Sequence, residues 1–503
     1  MNFLFKSILA TIFGAALSLT QAPYDLWFLT LPCFAALYYL YQTLDNKKQV
    51  FALIFLFAFA YFTTGLYWIG NALTIVNFGT REAILSVGAI SAVAAMFSAF
   101  YASISYIWLK KDSQLTNLIW FSVFISLSEW VRGYAIFAGF PWNLYGYGLV
   151  GSPALAQSLS FMGAYGLTFM SILWGGAIGY VWCRHKGYKG VAAFSIISFA
   201  LIYAYGHYRL SSNPTSYHNN IEMHITQPNI EQGDKWVKGR EFSDFEKHVD
   251  LLQLPFAADK QHVVVWPEAT IAHTLLNSPK VNKRLQDILG NNGILLSGVV
   301  APRSSDKTKF YNSIWGWSGN SNAEHVFSKS HLVPFGEYIP FAKYIDFPLI
   351  AKFAGLQHGQ GTATINVDGF PSFSPLICYE IIFPHEAALK HNRPEYIMTI
   401  ANDAWYGDSS GPYQHFAQAR FRAIEQGLPV VRAANTGISG IIDPYGRVIE
   451  RLELSTRGSI DHLLPKRTVK STIYARFGDL IYVGLILIAG IFGLFLRVRQ
   501  RKP

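Results

Sequence analysis

Val263-Val264-Val265-Trp266-Pro267-Glu268-Ala269-Thr270 reads as a short strand cut off by a proline. Three β-branched residues in a row suit a strand covered on both faces. Proline lacks the N–H that sheet pairing needs, so pairing stops at Pro267 and the Glu268 side chain is released from the sheet. The surrounding chain has the same character. Ile221, Met223 and Ile225 alternate before Gln227-Pro228-Asn229, and Gly293 to Gly298 reads as another strand. Phe373 to Ile382 and Tyr396 to Ile400 read as two more, and Tyr413 to Gln426 as a helix. Val430-Val431 and Ile441-Ile442 flank turns at Asn435-Thr436-Gly437 and Asp443-Pro444-Tyr445-Gly446. Strands interleaved with helices predict an α/β domain. There is no tandem repeat and no low-complexity tract.

Two further segments join Glu268 at predicted strand ends, where α/β folds commonly bind ligands. One is Lys329-Ser330-His331-Leu332-Val333-Pro334-Phe335-Gly336-Glu337-Tyr338; the other is Leu376-Ile377-Cys378-Tyr379-Glu380. A carboxylate, an ammonium and a thiol form a complete set for covalent chemistry. The carboxylate takes the thiol proton, the thiolate attacks a carbonyl, and the ammonium with a backbone N–H steadies the oxyanion. A Cys–His pair is the usual alternative, and His262, His331, His358 and His415 are available for it. Spacing does not choose between them. The chain's cysteines are Cys33, Cys183 and Cys378, which excludes a disulfide framework and any Cys-x-x-Cys zinc pair. The histidines lack the spacing of metal ligands and there is no Gly-rich nucleotide loop, so no metal and no cofactor is implied.

The 503 residues exceed one ordinary domain, and only 14% are charged against about 25% in an average soluble protein. The apolar residues concentrate in runs of roughly membrane-spanning length, near 5–22, 25–42, 50–70, 84–109, 115–131, 157–182 and 191–207, with an eighth at 480–496. The first run lacks a clear small-x-small cleavage site and a second follows at once, so it reads as a span and not a cleaved signal. Basic residues fall in alternate loops: Lys6; Lys47 and Lys48; Lys110 and Lys111; Arg184, Lys186 and Lys189; then Arg497, Arg499, Arg501 and Lys502. The loops near 21–25, 71–83 and 132–155 carry few. This positive-inside pattern predicts both termini in the cytoplasm and the α/β domain on the outer side. Much of the formal charge of +10 therefore marks topology and not a nucleic-acid surface. The expected organisation is a membrane α-helical bundle at 1–207, a catalytic domain at 208–478 and a last transmembrane helix and tail at 479–503. Glu129 and Arg132, just before Gly139-Phe140-Pro141-Trp142-Asn143, are either a functional intramembrane pair or a helix-end ion pair that anchors this loop.

Trp266-Pro267-Glu268, Lys329 to Glu337, Ile377-Cys378-Tyr379-Glu380 and Asn402-Asp403-Ala404-Trp405-Tyr406-Gly407 occur in an order that resembles the nitrilase superfamily. Joined to the membrane bundle, with its Gly139-Phe140-Pro141-Trp142, the pattern is similar to the bacterial apolipoprotein N-acyltransferase family over nearly the whole chain. The resemblance implies a four-layer α-β-β-α sandwich. It also implies roles: Glu268 as base, Lys329 as oxyanion partner and Cys378 as nucleophile. Glu337 would be a second carboxylate orienting Lys329. Tyr379 would supply an oxyanion-hole N–H, Glu380 would brace the turn, and Trp236 would sit on a loop near the site. Asn312 would stand at most behind these groups.

The implied reaction is ping-pong. Cys378 takes an acyl chain from a phospholipid, such as phosphatidylethanolamine, and the thioester is attacked by the α-amino group of a lipoprotein's diacylglyceryl-cysteine. The implied location is the bacterial inner membrane, with the catalytic domain periplasmic. Removing a chain of roughly 14 methylenes from lipid costs about 11 kcal/mol at ~0.8 kcal/mol per CH₂, so a site with no access to the bilayer would see almost no donor. The apolar segment 347–356 is the expected lipid-touching lid, or else a helix covering the domain core. Two rivals follow from the same residues. A membrane-anchored amidase or nitrile hydrolase would use water as acceptor. A transporter or scaffold would not need an acid, a cation and a thiol at three strand ends.

Overall fold

The computed structural model describes residues 1–75, 77–109, 113–135, 139–235, 237–302, 308–340 and 355–501. The chain divides into two units: Met1–Pro214 with Thr472–Pro503, and Thr215–Ser471.

The first unit is helical. Lys47–Gly65, Thr80–Ile107, Leu159–Trp182, Tyr188–Ser211 and Leu480–Arg499 are long and apolar enough to cross a bilayer. Phe3–Ser18 is apolar but has 16 residues. Thr30–Gln42 has 13, and Gln114–Ala135 has 22 and carries Glu129 and Arg132. The run expected over 50–70 is interrupted. Its helix ends at Gly65, and a separate short helix covers Ile69–Ile75. The break falls where the Gly65 carbonyl accepts from Asn143 Nδ2 at 3.2 Å. The unit takes the chain back at Thr472, before the last long helix, because the short helix Ile473–Phe477 packs there. Tyr474 lies against Gly163, a residue at φ 66° within Leu159–Trp182, so closely that a Cβ on Gly163 would sit 2.2 Å from the ring.

Glu129 and Arg132 form the anchor for the irregular loop. The guanidinium makes two bonds to the carboxylate, Nε–Oε1 at 3.0 Å and Nη2–Oε2 at 2.8 Å. Nη1 donates to the Phe140 and Trp142 carbonyls at 2.5 and 3.0 Å, and Oε2 accepts from the Tyr145 N–H at 3.2 Å. The guanidinium also lies 4.8 Å from the centre of the Phe62 ring. Non-helical backbone among transmembrane helices needs partners within the protein, because hydrocarbon offers none. One ion pair partners three backbone groups of 140–145.

The second unit is a sandwich of two six-stranded sheets. In chain order the strands are β1 (Tyr217–Gln227), β2 (Gln261–Val265), β3 (Gly293–Pro302), β4 (Phe310–Ser318), β5 (Ser321–Ser328), β6 (Ile365–Val367), β7 (Phe370–Ile377), β8 (Tyr396–Ala401), β9 (Val430–Ala434), β10 (Ser439–Ile442), β11 (Val448–Leu452) and β12 (Gly458–Pro465). The first sheet runs β12-β1-β2-β3-β4-β5 and the second β11-β10-β9-β8-β7-β6. Each has a parallel centre, β1-β2-β3 in one and β7-β8-β9 in the other, with antiparallel flanks.

The period-two rule separates the layers. Val263 and Val265 join Met223, Ile225 and Leu296 in a core shared with Ile377, Met398, Ile400, Val431 and Ile441 of the other sheet. Val264, between them, faces the opposite way with Leu295 and Trp317, onto Phe245, Val281, Leu285 and Leu289 of helices Glu241–Val249 and Pro279–Leu289. Helix Ser410–Gln426, almost wholly buried, covers the second sheet. These are the four layers of an α-β-β-α sandwich. One expected element changes: the strand read over Phe373 to Ile382 ends at Ile377. Cys378 has φ 54°, in the left-handed region that breaks strand pairing, and Cys378–Ile382 is a turn of 3₁₀ helix.

Replacing Arg132 with Met should leave the Glu129 carboxylate without its counter-ion in the bundle. Removing one member of a buried pair costs roughly 3–5 kcal/mol, so the purified protein should melt at a markedly lower temperature. An unchanged melting temperature would refute the anchoring role.

Candidate active site

Glu268, Lys329 and Cys378 each follow a strand end. Glu268 stands three residues beyond β2, Lys329 directly follows β5, and Cys378 directly follows β7. The first two belong to one sheet and the cysteine to the other. All three side chains are buried. The Glu268 loop lies flat on β3 because Gly298 leaves room for it: a Cβ there would come within 2.5 Å of the Ala269 nitrogen. Gly298 N donates to the Pro267 carbonyl and Gly298 O accepts from Thr270 N, so the loop is pinned on both sides of Glu268.

The Lys329 ammonium is 2.9 Å from Glu337 and 3.8 Å from Glu268 Oε1. Burial favours its neutral form, but Glu337, Glu268 and Cys378 outweigh this and hold its pKa above the ordinary 10.5. It stays an ammonium. Asn312 on β4 donates from Nδ2 to both carboxylates, at 2.6 Å to Glu268 and 3.1 Å to Glu337. Glu337 also accepts from Val333 N at 2.8 Å. Asn312 is therefore in direct contact with both carboxylates.

Cys378 sits at a turn clamped by Glu380. Glu380 Oε2 accepts from Ile377 N at 2.8 Å, while Oε1 accepts from Ser330 N and Oγ at 2.8 Å and His331 N at 3.1 Å. One carboxylate thus joins the cysteine turn to the lysine strand end. Burial pushes the Cys378 thiol well above its ordinary 9. Glu268, Asp403 and Glu337 push the same way, and the Lys329 ammonium opposes them. A resting thiol in this place needs a base to become a nucleophile. Tyr379 follows in the turn, its ring edge-on to His331 and Phe383.

The four histidines open to the thiol have other partners. His262 Nδ1 meets His224 at 2.9 Å, His331 binds Glu386 at 3.1 Å, and His358 binds the Ser330 carbonyl at 2.9 Å. His415 is nearest to the cysteine, but its Nε2 bonds the Cys378 carbonyl oxygen at 3.0 Å. Its Nδ1 meets Asp403 at 2.8 Å, and Arg432 holds the other Asp403 oxygen at 2.6 Å. Burial favours a neutral Asp403, but His415 and Arg432 prevail and keep its pKa below the ordinary range. This trio was missed as a unit, although Asp403 lies in the quoted Asn402–Gly407 motif. Lys235 was also missed. It is half-buried, donates to the Glu268 carbonyl at 3.3 Å, and is pushed down to about 8 by burial against the pull of Glu268 and Asp244.

The fold nevertheless gathers groups that the sequence spacing keeps apart: Glu222, His224 and His262 have ligand atoms within 4.8 Å of one another, as do Cys378, Asp403 and His415. In the second cluster Arg432 already places a cation on Asp403, which disfavours a metal. Trp236 and residues 347–354 of the expected lid lie outside the described residues. At the lid's described end, Gly355 and Leu356 donate to the Glu337 carbonyl at 3.0 and 3.2 Å.

A carboxylate, an ammonium and a thiol at the strand ends of an α-β-β-α sandwich are groups suited to acyl transfer, and the chain matches the carbon–nitrogen hydrolases. Residues 226–474 match the carbon-nitrogen hydrolase family, and residues 13–177 match the apolipoprotein N-acyltransferase N-terminal domain. The apolipoprotein N-acyltransferase of Rhodopseudomonas palustris is 33% identical over 529 residues, covering 99% of this chain and 96% of that protein. The Brucella melitensis enzyme is 33% identical over 526 residues, covering 99% and 97%. A carbon-nitrogen hydrolase from Helicobacter pylori is similar at 14% identity and a TM-score of 0.33, over 48% of this chain and 88% of that one. The chain belongs to the apolipoprotein N-acyltransferase family.

The charges around Cys378 set the pH dependence of its alkylation. Wild-type alkylation by iodoacetamide should rise with a midpoint above 9. Lys329→Met removes a cation that lowers the thiol pKa and should move the midpoint up; Glu268→Gln should move it down. Identical midpoints in all three proteins would show that these charges do not act on the thiol.

Proposed function

We propose that the chain N-acylates the diacylglyceryl-cysteine of lipoproteins, taking the acyl group from a membrane phospholipid through a thioester on Cys378. The observation that carries this reading is a buried thiol at φ 54° just beyond β7, tied by the Glu380 carboxylate to the strand end that bears Lys329, whose ammonium lies 3.8 Å from Glu268. The full-length similarity to apolipoprotein N-acyltransferases supports the same chemistry.

Glu268 takes the thiol proton as the sulfur attacks the ester carbonyl of the donor. The oxyanion is held by the Lys329 ammonium and the Tyr379 N–H. Collapse breaks the ester C–O bond, and the lysophospholipid leaves with the proton returned from Glu268. In the second half the acceptor's α-amine attacks the thioester, Glu268 takes the amine proton, and the Cys378 thiol is restored as the amide forms. Glu337 and Asn312 keep Lys329 and Glu268 aimed during both halves. Phosphatidylethanolamine is the proposed donor.

The positive-inside pattern supports eight spans in an inner membrane, with both termini cytoplasmic and the catalytic unit periplasmic. A membrane location answers the cost of moving an acyl chain out of lipid.

The test is incubation of purified protein with phosphatidylethanolamine carrying a labelled acyl chain, without acceptor. Hydroxylamine-sensitive label should appear on the wild type, be absent from Cys378→Ala, and chase onto a diacylglyceryl-cysteine peptide. Glu268→Gln should label about 10²–10⁴-fold more slowly. Release of free fatty acid alone would identify a hydrolase, and no reaction in folded protein would remove the enzymatic reading.

A further inference from the structure

We propose that His415, held by Asp403 and Arg432, is a positioning residue that strengthens the oxyanion donor through the Cys378–Tyr379 peptide bond. The inference rests on the reading of Cys378 as nucleophile.

The three residues come from three elements: Asp403 from the turn after β8, His415 from helix Ser410–Gln426 and Arg432 from β9. All are fully buried. Arg432 Nη2 lies 2.6 Å from Asp403 Oδ2, Asp403 Oδ1 lies 2.8 Å from His415 Nδ1, and His415 Nε2 lies 3.0 Å from the Cys378 carbonyl oxygen. A carbonyl oxygen only accepts, so His415 Nε2 carries a proton. Nδ1 is held between the Asp403 carboxylate at 2.8 Å and the Arg432 guanidinium at 3.1 Å, so the ring is fixed with its Nε2–H aimed at the carbonyl oxygen, a donor polarised by this chain of charged groups.

The bond lands on an informative atom. The Cys378 carbonyl and the Tyr379 N–H are the two ends of one peptide unit, whose resonance links them. A hydrogen bond accepted at the oxygen draws electron density from the nitrogen and makes the N–H a stronger donor, the cooperative effect of hydrogen-bond chains. In the proposed mechanism that N–H holds the oxyanion. The same bond fixes the peptide plane after Cys378, while Glu380 fixes Ile377 N before it. The left-handed φ of Cys378 is thus over-determined from both sides, as strained functional residues require. His415 never has to touch the substrate.

The experiment compares His415→Leu, His415→Gln and Asp403→Asn in the full-length protein. Rates are measured for thioester formation from labelled phosphatidylethanolamine, for transfer to a diacylglyceryl-cysteine peptide, and for Cys378 alkylation by iodoacetamide. Alkylation has no oxyanion, so it reports whether the thiol itself is intact. His415→Leu should slow both acyl steps by a similar factor, about ten- to a hundredfold, below the ~10²–10³ for loss of a whole oxyanion donor. Alkylation should stay within about twofold, because displacement of iodide by the sulfur passes through no oxyanion. His415→Gln, which keeps an N–H donor, should recover most of the loss. If His415→Leu does not fold, Asp403→Asn should slow acyl transfer by a smaller factor, roughly three- to tenfold, while alkylation rises and does not fall, because the Asp403 charge that holds the thiol pKa up is gone. Full acyl-transfer rates in these variants, or alkylation falling in parallel with transfer, would overturn the proposal. A wild type that forms no thioester would instead overturn the underlying function.

Discussion

The buried ammonium of Lys329 is the interaction on which the catalytic unit turns. Taking such a charge out of water costs several kcal/mol unless it is closely paired. Glu337 and Glu268 supply that pairing, and Asn312 holds the two carboxylates at fixed separation. Two carboxylates and one ammonium leave the cluster with an excess negative charge. Burial first, and the carboxylates after it, keep the nearby thiol protonated. In the proposed mechanism the same pairing leaves Glu268 to act as the base.

The same rule governs the membrane unit with a different result. There the guanidinium of Arg132 and the carboxylate of Glu129 face each other, and their remaining hydrogen-bonding capacity goes to the backbone of 140–145. No base is left over. The contrast shows why an intramembrane pair cannot be assigned a role from composition alone. What matters is whether the pair has capacity to spare after satisfying its own surroundings.

Much of this was legible in the sequence where local features carry it. Pro267 ends β2 and Glu268 follows it; the long apolar runs mark most of the helices; Val263, Val264 and Val265 announce a strand covered on both faces. The illegible parts depend on distant residues meeting. Asn312 sits in mid-strand with no motif around it, and it matters because β4 runs beside the Glu268 loop. His415 looked like a possible base because the sequence could not show that its Nε2 ends on a backbone oxygen. His224 and His262, 38 residues apart, become neighbours only when β1 and β2 pair. β5, with Ser321-Asn322-Ala323-Glu324 at its start, has too little apolar alternation to be read as a strand. Cys378 stopped a strand that hydrophobicity alone would have continued to Ile382.

The division of the triad between two sheets has a consequence for the life of the chain. The ammonium and the carboxylates arrive with β2 to β5, the thiol arrives with β7, and β12, the last strand made, closes beside β1. In the proposed mechanism the cysteine therefore has neither base nor oxyanion partner until both sheets have docked. On that reading a half-made or unfolding chain among lipids is chemically silent, and the architecture itself protects the bilayer from a stray lipase.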